Sequence, residues 1–473
     1  MFYYVIEKAR RPFTVPVVIL FALLAGVARA EEGGGPQGAS EPTAQGPSGG
    51  TSKPSWLPQI LGAQATGIYQ NVPAFHSPYA GEKSFLFDHS FKQQLTQTYG
   101  LYFGSQLTES LQAYADFEMF RGSGPAGGLG LGGYSNGDVI RAGPANLGSD
   151  PYLARLYVRY TIPLSAEMTP PLERGMDQMP VREHVDRIEI KAGRVAPTDD
   201  FDQNRYANNQ RTMFFNYAFL FNTAWDYASD TRGYSIGFSV AIVHPTWRLI
   251  FGSYQVPTTR NGYQLDNEIY RARGDNIELS LAPRSTGTVI RLLAFHNQGR
   301  MGDYREAMAI GAATKSVPDT VVDEQPGRTK YGFGLNIEQP VANDGETGLC
   351  ARLGWANGTN SNWSFTEVDR QGSMGLQVSG RNWKRPEDQF GIGYGVQGIT
   401  GSHRHYLEQG GIGMLVGDGA LAYAYERVFE TYYRFQLGRH VQLSPDFQYI
   451  ANPAYNHDRG PVKIYGLRLR MYY

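Results

Sequence analysis

The chain of 473 residues holds a single cysteine, Cys350, which excludes an intrachain disulfide framework and a cysteine-based zinc site. It reads as a small apolar residue on a strand. The nine histidines show no H-x-x-x-H pair and no zinc spacing, so no metal or other cofactor is expected. Neither sign of charge is in excess: the net charge is −1, which implies no bulk attraction to nucleic acid or to an anionic membrane. Beyond residue 30 no continuous apolar stretch is long enough for a helical span. What the chain does have is aromatics, with 31 Tyr and 24 Phe, and 57 glycines. At a mean hydropathy of −0.39, enrichment in both without apolar runs is what alternating lipid-facing and water-facing strands produce.

The alternation is cleanest over Lys463 to Tyr473. Tyr465, Leu467, Leu469, Met471 and Tyr473 take one face, and Gly466, Arg468 and Arg470 take the other. A soluble sheet would bury that apolar face in a core. In a membrane barrel it meets lipid, the arginines meet a lumen, and a terminal aromatic suits the girdle at the bilayer edge. The other end of the chain decides between these readings. Lys8, Arg10 and Arg11 precede an apolar run from Phe13 to Val27, and Ala28-Arg29-Ala30 forms a small-x-small cleavage site. Residues 1–30 therefore read as a secretory signal peptide, and Pro16 and the shortness of the run argue against an anchor. Residues 31–57, rich in Gly, Pro and Ser, read as a disordered periplasmic leader, and residues 58–473 as the barrel.

Sixteen alternating segments follow, at 60–71, 92–104, 109–121, 151–164, 187–196, 232–243, 246–256, 274–283, 288–297, 330–340, 347–357, 372–382, 388–399, 424–438, 441–451 and 461–473. An even number suits antiparallel closure with both termini on one side. Short turns such as His244-Pro245-Thr246 follow even-numbered segments and longer loops follow odd ones, which places the turns in the periplasm and the loops outside. Residues 165–186, with Pro170, Pro171 and Pro180, form a long connection on the nominally short side. The expected fold is an all-β, 16-stranded antiparallel transmembrane β-barrel of the bacterial outer membrane. Barrels of sixteen to eighteen strands leave a water channel.

Alternation also sorts the charges. Asp116 and Glu118 oppose Leu111, Ala113, Ala115, Phe117 and Met119; Arg155, Tyr157 and Arg159 oppose Leu156, Val158, Tyr160 and Ile162; Glu430 and Arg434 oppose Phe429, Tyr433, Phe435 and Leu437. Arg468 and Arg470 join them on the last strand. A charge on the lipid face at mid-depth costs about 2–4 kcal/mol, so these residues belong to the lumen. A cationic ladder would suit an anion and an acidic ring a cation. A mixture suits a neutral polyhydroxylated solute, whose hydroxyls hydrogen-bond to both charge types while its C–H face covers an aromatic ring. For any single residue, mutual neutralisation across a water-filled wall is an equal reading.

The segment 197–231 carries Asp199, Asp200, Asp202, Asn204, Arg205 and Arg211, then the apolar run Met213 to Phe221, then Trp225-Asp226-Tyr227. So many rings do not suit solvent, and the loop is expected to fold inward onto the barrel wall and narrow the pore. Asp202, Arg205, Trp225 and Asp226 are its candidates for the constriction. Asp200 to Asn204 resembles the opening of a calcium loop, but Arg205 and Arg211 stand where Gly and Glu are diagnostic.

The strings Phe75-His76-Ser77-Pro78-Tyr79-Ala80-Gly81, Asn204-Arg205-Tyr206-Ala207-Asn208 with Ala224-Trp225-Asp226-Tyr227-Ala228, Arg300-Met301-Gly302-Asp303-Tyr304-Arg305 and Asn452-Pro453-Ala454-Tyr455-Asn456 resemble the carbohydrate-selective porins of the OprB type. The resemblance covers nearly all of residues 60–473. It implies passive, selective diffusion of small sugars through a constriction of charged and aromatic side chains, and it does not single out eyelet residues. A general or weakly ion-selective porin is the alternative. An outer-membrane lipid-modifying enzyme is less favoured, because no Ser or His nucleophile site stands out. Expected partners are small sugars as permeants, outer-membrane lipid and the barrel assembly machinery, with no nucleic acid. Self-association stays open, since monomer and trimer contacts both use apolar outer faces.

Overall fold

A computed structural model describes residues 55–87, 94–139, 147–283 and 286–473. The candidate signal peptide and residues 31–54 of the candidate leader lie outside the described residues. Sixteen strands form one sheet: β1 (Ser55–Asn71), β2 (Leu95–Gln106), β3 (Leu111–Arg121), β4 (Tyr152–Pro163), β5 (Arg187–Val195), β6 (Ser235–His244), β7 (Trp247–Gln255), β8 (Arg273–Leu281), β9 (Val289–Met301), β10 (Gln325–Ala342), β11 (Thr347–Ala356), β12 (Arg370–Ser379), β13 (Gln389–Gly398), β14 (Glu426–Gln436), β15 (Val441–Ala451) and β16 (Val462–Tyr472). Each pairs with its sequence neighbours, and β1 pairs antiparallel with β16 from Gln64↔Tyr472 to Asn71↔Tyr465, closing the barrel. The first strand starts at Ser55 instead of residue 60, because Ser55 still finds a partner in Gln106 across two register shifts.

The strands form because apolar side chains recur with period two between turn residues, and burial shows which face each set takes. On β3 the side chains of Gln112, Tyr114, Asp116, Glu118 and Phe120 are buried, while Phe117 on the other face is 44% exposed. On β16 Arg468 and Arg470 are buried between the exposed Leu467 and Leu469. Buried charge beside exposed leucine inverts the pattern of a soluble sheet, and it is the pattern of a barrel whose outer solvent is hydrocarbon. Among the described residues no helix is long and apolar enough to cross a membrane.

The two rims differ. One carries tight turns such as 107–110, 245–246, 343–346 and 437–440; the other carries long loops such as 196–234, 302–324 and 399–425. Helices Tyr304–Thr314 and Gly401–Glu408 meet over the long-loop rim, where the Tyr304 and His403 rings stack 4.4 Å apart. The connection 164–186 is the long exception on the short-turn rim. A bulge in β4, opposite the Asp116–Phe117 step of β3, leaves Ala154 without a direct partner on β3 and sets Arg155 opposite Asp116. Bulges re-aim side chains in this way.

Leu353 lies mid-strand on the outer face of β11 and is 58% exposed. Leu353→Arg is expected to destabilise the lipid-folded barrel by about 2–4 kcal/mol, measured by urea unfolding in vesicles. A loss below about 1 kcal/mol would place this position away from the hydrocarbon.

Candidate functional site

The loop 196–234, between β5 and β6, is tied to the inner wall along its length. Asp202 is the first tie. Its carboxylate lies 3.1 Å from Arg352 Nε on β11, and accepts hydrogen bonds from Asn336 Nδ2 on β10 at 2.6 Å and from the Asn222 amide at 2.6 Å. Its own amide donates to Glu278 of β8 at 2.7 Å. These donors occupy the carboxylate that the sequence set in a calcium-like string. Farther along, Glu430 of β14 accepts from the amides of Phe215 and Asn216, and Arg468 of β16 donates to the carbonyls of Gln210 at 2.6 Å and Met213 at 2.8 Å. Trp225 Nε1 donates to Asn276 on β8 at 2.9 Å. The Asp226 carboxylate accepts from the amides of Trp363 and Ser364 at 3.1 and 3.0 Å.

The apolar run fills the space between these ties. Phe214, Phe215, Tyr217, Phe219 and Leu220 are all buried. The wall makes room for them with glycine on its inner face. A Cβ added to Gly393 would stand 2.7 Å from the Phe219 ring and 3.1 Å from Phe214, closer than packed carbon atoms approach. Phe214 and Phe219 pack with centroids 4.8 Å apart, and Tyr432 of β14 meets Phe214 edge-on at 5.1 Å. The loop thus occupies the lumen against β8 and β10 to β16.

On the opposite side, toward β2 to β5, a cavity of about 400 Å³ remains open. Tyr102, Glu118, Arg155, Tyr157, Asp177, Lys191, Asp199, Arg211, Tyr234 and Arg470 are among the side chains on its surface. Arg155 is its hub. Its Nε and Nη2 each donate to Asp199 at 2.7 Å in a bidentate pair, its Nη1 lies 3.1 Å from Asp116 and 3.7 Å from Asp177, and its guanidinium covers the Tyr234 ring at 5.2 Å. Arg211 of the loop lies 3.3 Å from Glu118. Tyr157 stacks on Tyr114 at 4.8 Å, and Tyr227 of the loop stacks on Phe365 at 4.4 Å. Charged groups and ring faces therefore share one cavity wall.

The carboxylates of the loop respond to their surroundings in opposite directions. Burial pushes the Asp199 carboxyl up, but Arg155 and Lys191 outweigh it and hold it below the usual carboxylate range. Burial lifts the Asp226 carboxyl above that range, against the pull of Lys330 and of the two amides it accepts from. A carboxylate clamped by a guanidinium stays charged at the cavity, whereas one enclosed by the protein does not favour its charge.

The candidates from sequence thus fall into groups. Glu118, Arg155, Tyr157 and Arg470 line the cavity, with Asp116 directly behind Arg155 and fully buried. Arg159 sits nearer the short-turn rim, 2.5 Å from Glu183 and 2.8 Å from Glu189. Asp202, Trp225, Asp226, Glu430 and Arg468 lie on the far side as anchors of the loop, away from the cavity lining. Arg205 and Arg434 also lie outside the cavity lining and tie the loop to the wall: the Arg205 amide donates to Glu338 of β10 at 2.9 Å, and the Arg434 guanidinium lies 3.5 Å from the loop carbonyl of Thr212. Sequence reasoning left Tyr102, Asp177, Lys191 and Tyr234 out of the site, and reached Asp199 and Arg211 only as members of the polar start of the loop. Tyr102 and Lys191 were reachable from strand alternation, whereas Asp177 lies on a connection with no periodic pattern.

The family described as "Carbohydrate-selective porin, OprB family" matches residues 75–473. Porin AaxA of Chlamydia abortus is 24% identical over 267 residues, 56% of this chain and 50% of that protein. A putative porin, QuiX of Acinetobacter baylyi, is 23% identical over 309 residues, 60% of this chain and 65% of that one. The chain therefore spans half to two-thirds of the length of these curated relatives. The solved high-pH structure of Pseudomonas putida OprB superposes with a TM-score of 0.63 at 14% identity, covering 88% of this chain and 94% of that one, a likeness of fold.

Removing one partner of a buried ion pair strands the other. Asp202→Ala leaves Arg352 buried without its carboxylate, at an expected cost of about 3–5 kcal/mol to loop docking. The outcome should be a larger and noisier single-channel current, with new protease cleavage inside 197–231. An unchanged current and cleavage pattern would mean that the loop keeps its place without this pair.

Proposed function

We propose that this chain, which belongs to the carbohydrate-selective porin (OprB) family, passes small neutral sugars by passive diffusion through the cavity between the inward-folded loop and the wall of β2 to β5. As a member of that family it is a porin of the outer membrane, a channel and not an enzyme. The observation that carries the sugar reading is the chemistry of the cavity surface. Arg155, Arg211 and Arg470 donate, Glu118, Asp177 and Asp199 accept, and Tyr157, Tyr217, Tyr227, Tyr234 and Phe365 present rings, all within one cavity of about 400 Å³. A sugar ring has hydroxyls at its edge and C–H groups on its faces, and this wall offers a partner to each. Glu118, Arg155, Tyr157 and Arg470 are the wall residues assigned to permeant contact, and the loop ties at Asp202, Trp225, Asp226, Glu430 and Arg468 keep the passage narrow.

A general, weakly ion-selective porin is the second reading. It is favoured by the close pairing of Arg155 with Asp199 at 2.7 Å and of Arg159 with Glu183 at 2.5 Å, since paired charges leave little net field for a permeant.

Proteoliposome swelling separates the two. Monosaccharides are expected to enter severalfold faster than amino acids of similar size, and disaccharides more slowly than either. Equal entry of sugars and amino acids would remove the sugar preference and leave a general porin. Neither swelling nor conductance in salt would remove both.

A further inference from the structure

The connection 164–186 is the one long segment on the short-turn rim, and it is folded. Backbone hydrogen bonds run from Leu164 N to Asp186 O, Thr169 N to Glu183 O and Leu172 N to Val181 O, and Gly175 and Gln178 bond to each other in both directions at 3.1 Å. This is a hairpin with its tip at 175–178. Its direction is set by side chains along its length. Glu183, near the base, bridges Arg159 at 2.5 Å and Arg187 at 2.7 Å on the inner wall. Met179 is buried, and its sulfur stands 2.7 Å from where a Cβ of Gly104 on β2 would be, so the missing side chain of Gly104 is what admits it. Met176 and Asp177, at the tip, reach the same cavity that the loop 196–234 borders. The hairpin has turned back into the barrel.

Two inward elements therefore meet at one guanidinium. Arg155 holds Asp199, from the long-loop side, in a bidentate pair at 2.7 Å, and Asp177, from the short-turn side, at 3.7 Å. The carboxylates on the cavity differ in how firmly they are engaged. Asp199 is doubly bonded, and Glu118 is surrounded by Tyr102, Tyr152, Tyr234 and Arg211. Asp177 meets Arg155 only at 3.7 Å and shares a carboxyl–carboxyl hydrogen bond with Asp116, and its side chain is 35% exposed. Five cationic side chains line the cavity, namely Arg155, Lys191, Arg211, Arg232 and Arg470, against three carboxylates. A lining of that kind draws anions unless a carboxylate projects among the cations.

We propose that the hairpin 164–186 forms the second side of the constriction, entering from the short-turn rim, and that Asp177 at its tip is a specificity-determining residue that rejects anionic permeants such as sugar acids in favour of neutral sugars. This rests on the cavity being the permeation path. The hairpin supplies a carboxylate that the barrel wall and the long loop keep occupied elsewhere.

The test compares the unsubstituted channel with Asp177→Asn, which keeps the shape of the side chain, and with Glu173→Gln, which removes a charge from the same hairpin away from the cavity. In planar bilayers at low salt, a unit charge acting across ~4 Å of water is worth about fivefold on each ion, so Asp177→Asn is expected to lower the cation-over-anion permeability ratio by up to about 25-fold. In swelling assays gluconate entry relative to glucose should rise in the same variant, and Glu173→Gln should move neither ratio. Unmoved ratios in Asp177→Asn, or an equal shift in Glu173→Gln, would overturn the proposal. If the Asp177→Asn ratio moves while glucose fails to enter even the unsubstituted channel, the hairpin tip stands on the path and the sugar reading falls instead.

Discussion

Every residue on a strand of this barrel faces either hydrocarbon or lumen, and no third environment exists for its charges. That constraint sends Asp116, Glu118, Arg155, Arg352, Glu430, Arg468 and Arg470 inward together. Once inside they are crowded, and a desolvated charge needs a partner. Partners on neighbouring strands satisfy some of them, as Asp116 does for Arg155. The rest must be met by chain that comes in from the rims, and this is why the loops of the protein enter its lumen.

The lumen is filled unevenly as a result. Against β8 and β10 to β16 the wall presents buried acceptors and donors, among them Arg352, Asn336, Glu430 and Arg468, together with glycines such as Gly393 whose missing side chains leave a seat for the Phe214 and Phe219 rings. A loop with both backbone amides and aromatic side chains to offer docks there at many points. The wall of β2 to β5 has larger inward side chains, including Tyr102, Tyr114, Tyr157 and Arg155, and its charges pair with the ends of incoming segments. The cavity is left on that side because the loop is already committed to the other.

Arg155 has a place in this arrangement beyond its share of pairing. It lies where a bulge sets it opposite Asp116, and it joins the wall, the long loop and the hairpin of the short-turn rim. A guanidinium suits the position because its planar fork bonds to a carboxylate on one edge while its remaining donors and its face stay available, here to Asp116 and to the Tyr234 ring. Elements from opposite rims are thereby referred to one point of the wall.

The order of the sixteen strands and the inward placement of the wall charges were legible in the amino-acid sequence, because strand side chains alternate with a fixed period and lipid tolerates only one of the two faces. The need to bury the rings of Met213 to Phe221 was legible for a different reason, since a loop that left so many rings in water would expose a large apolar patch. What the sequence by itself left undecided is which residues of the entering segments bond to the wall and which face the open cavity. Asp199 and Asp202 are three residues apart and chemically alike, yet Asp199 lines the cavity with Arg155 and Asp202 is anchored to Arg352. Loops have no period, so their side chains are sorted by the partners that distant strands bring near. Only barrel closure places Arg352, 150 residues along the chain, beside Asp202, and only folding of 164–186 back into the lumen brings Asp177 to Arg155.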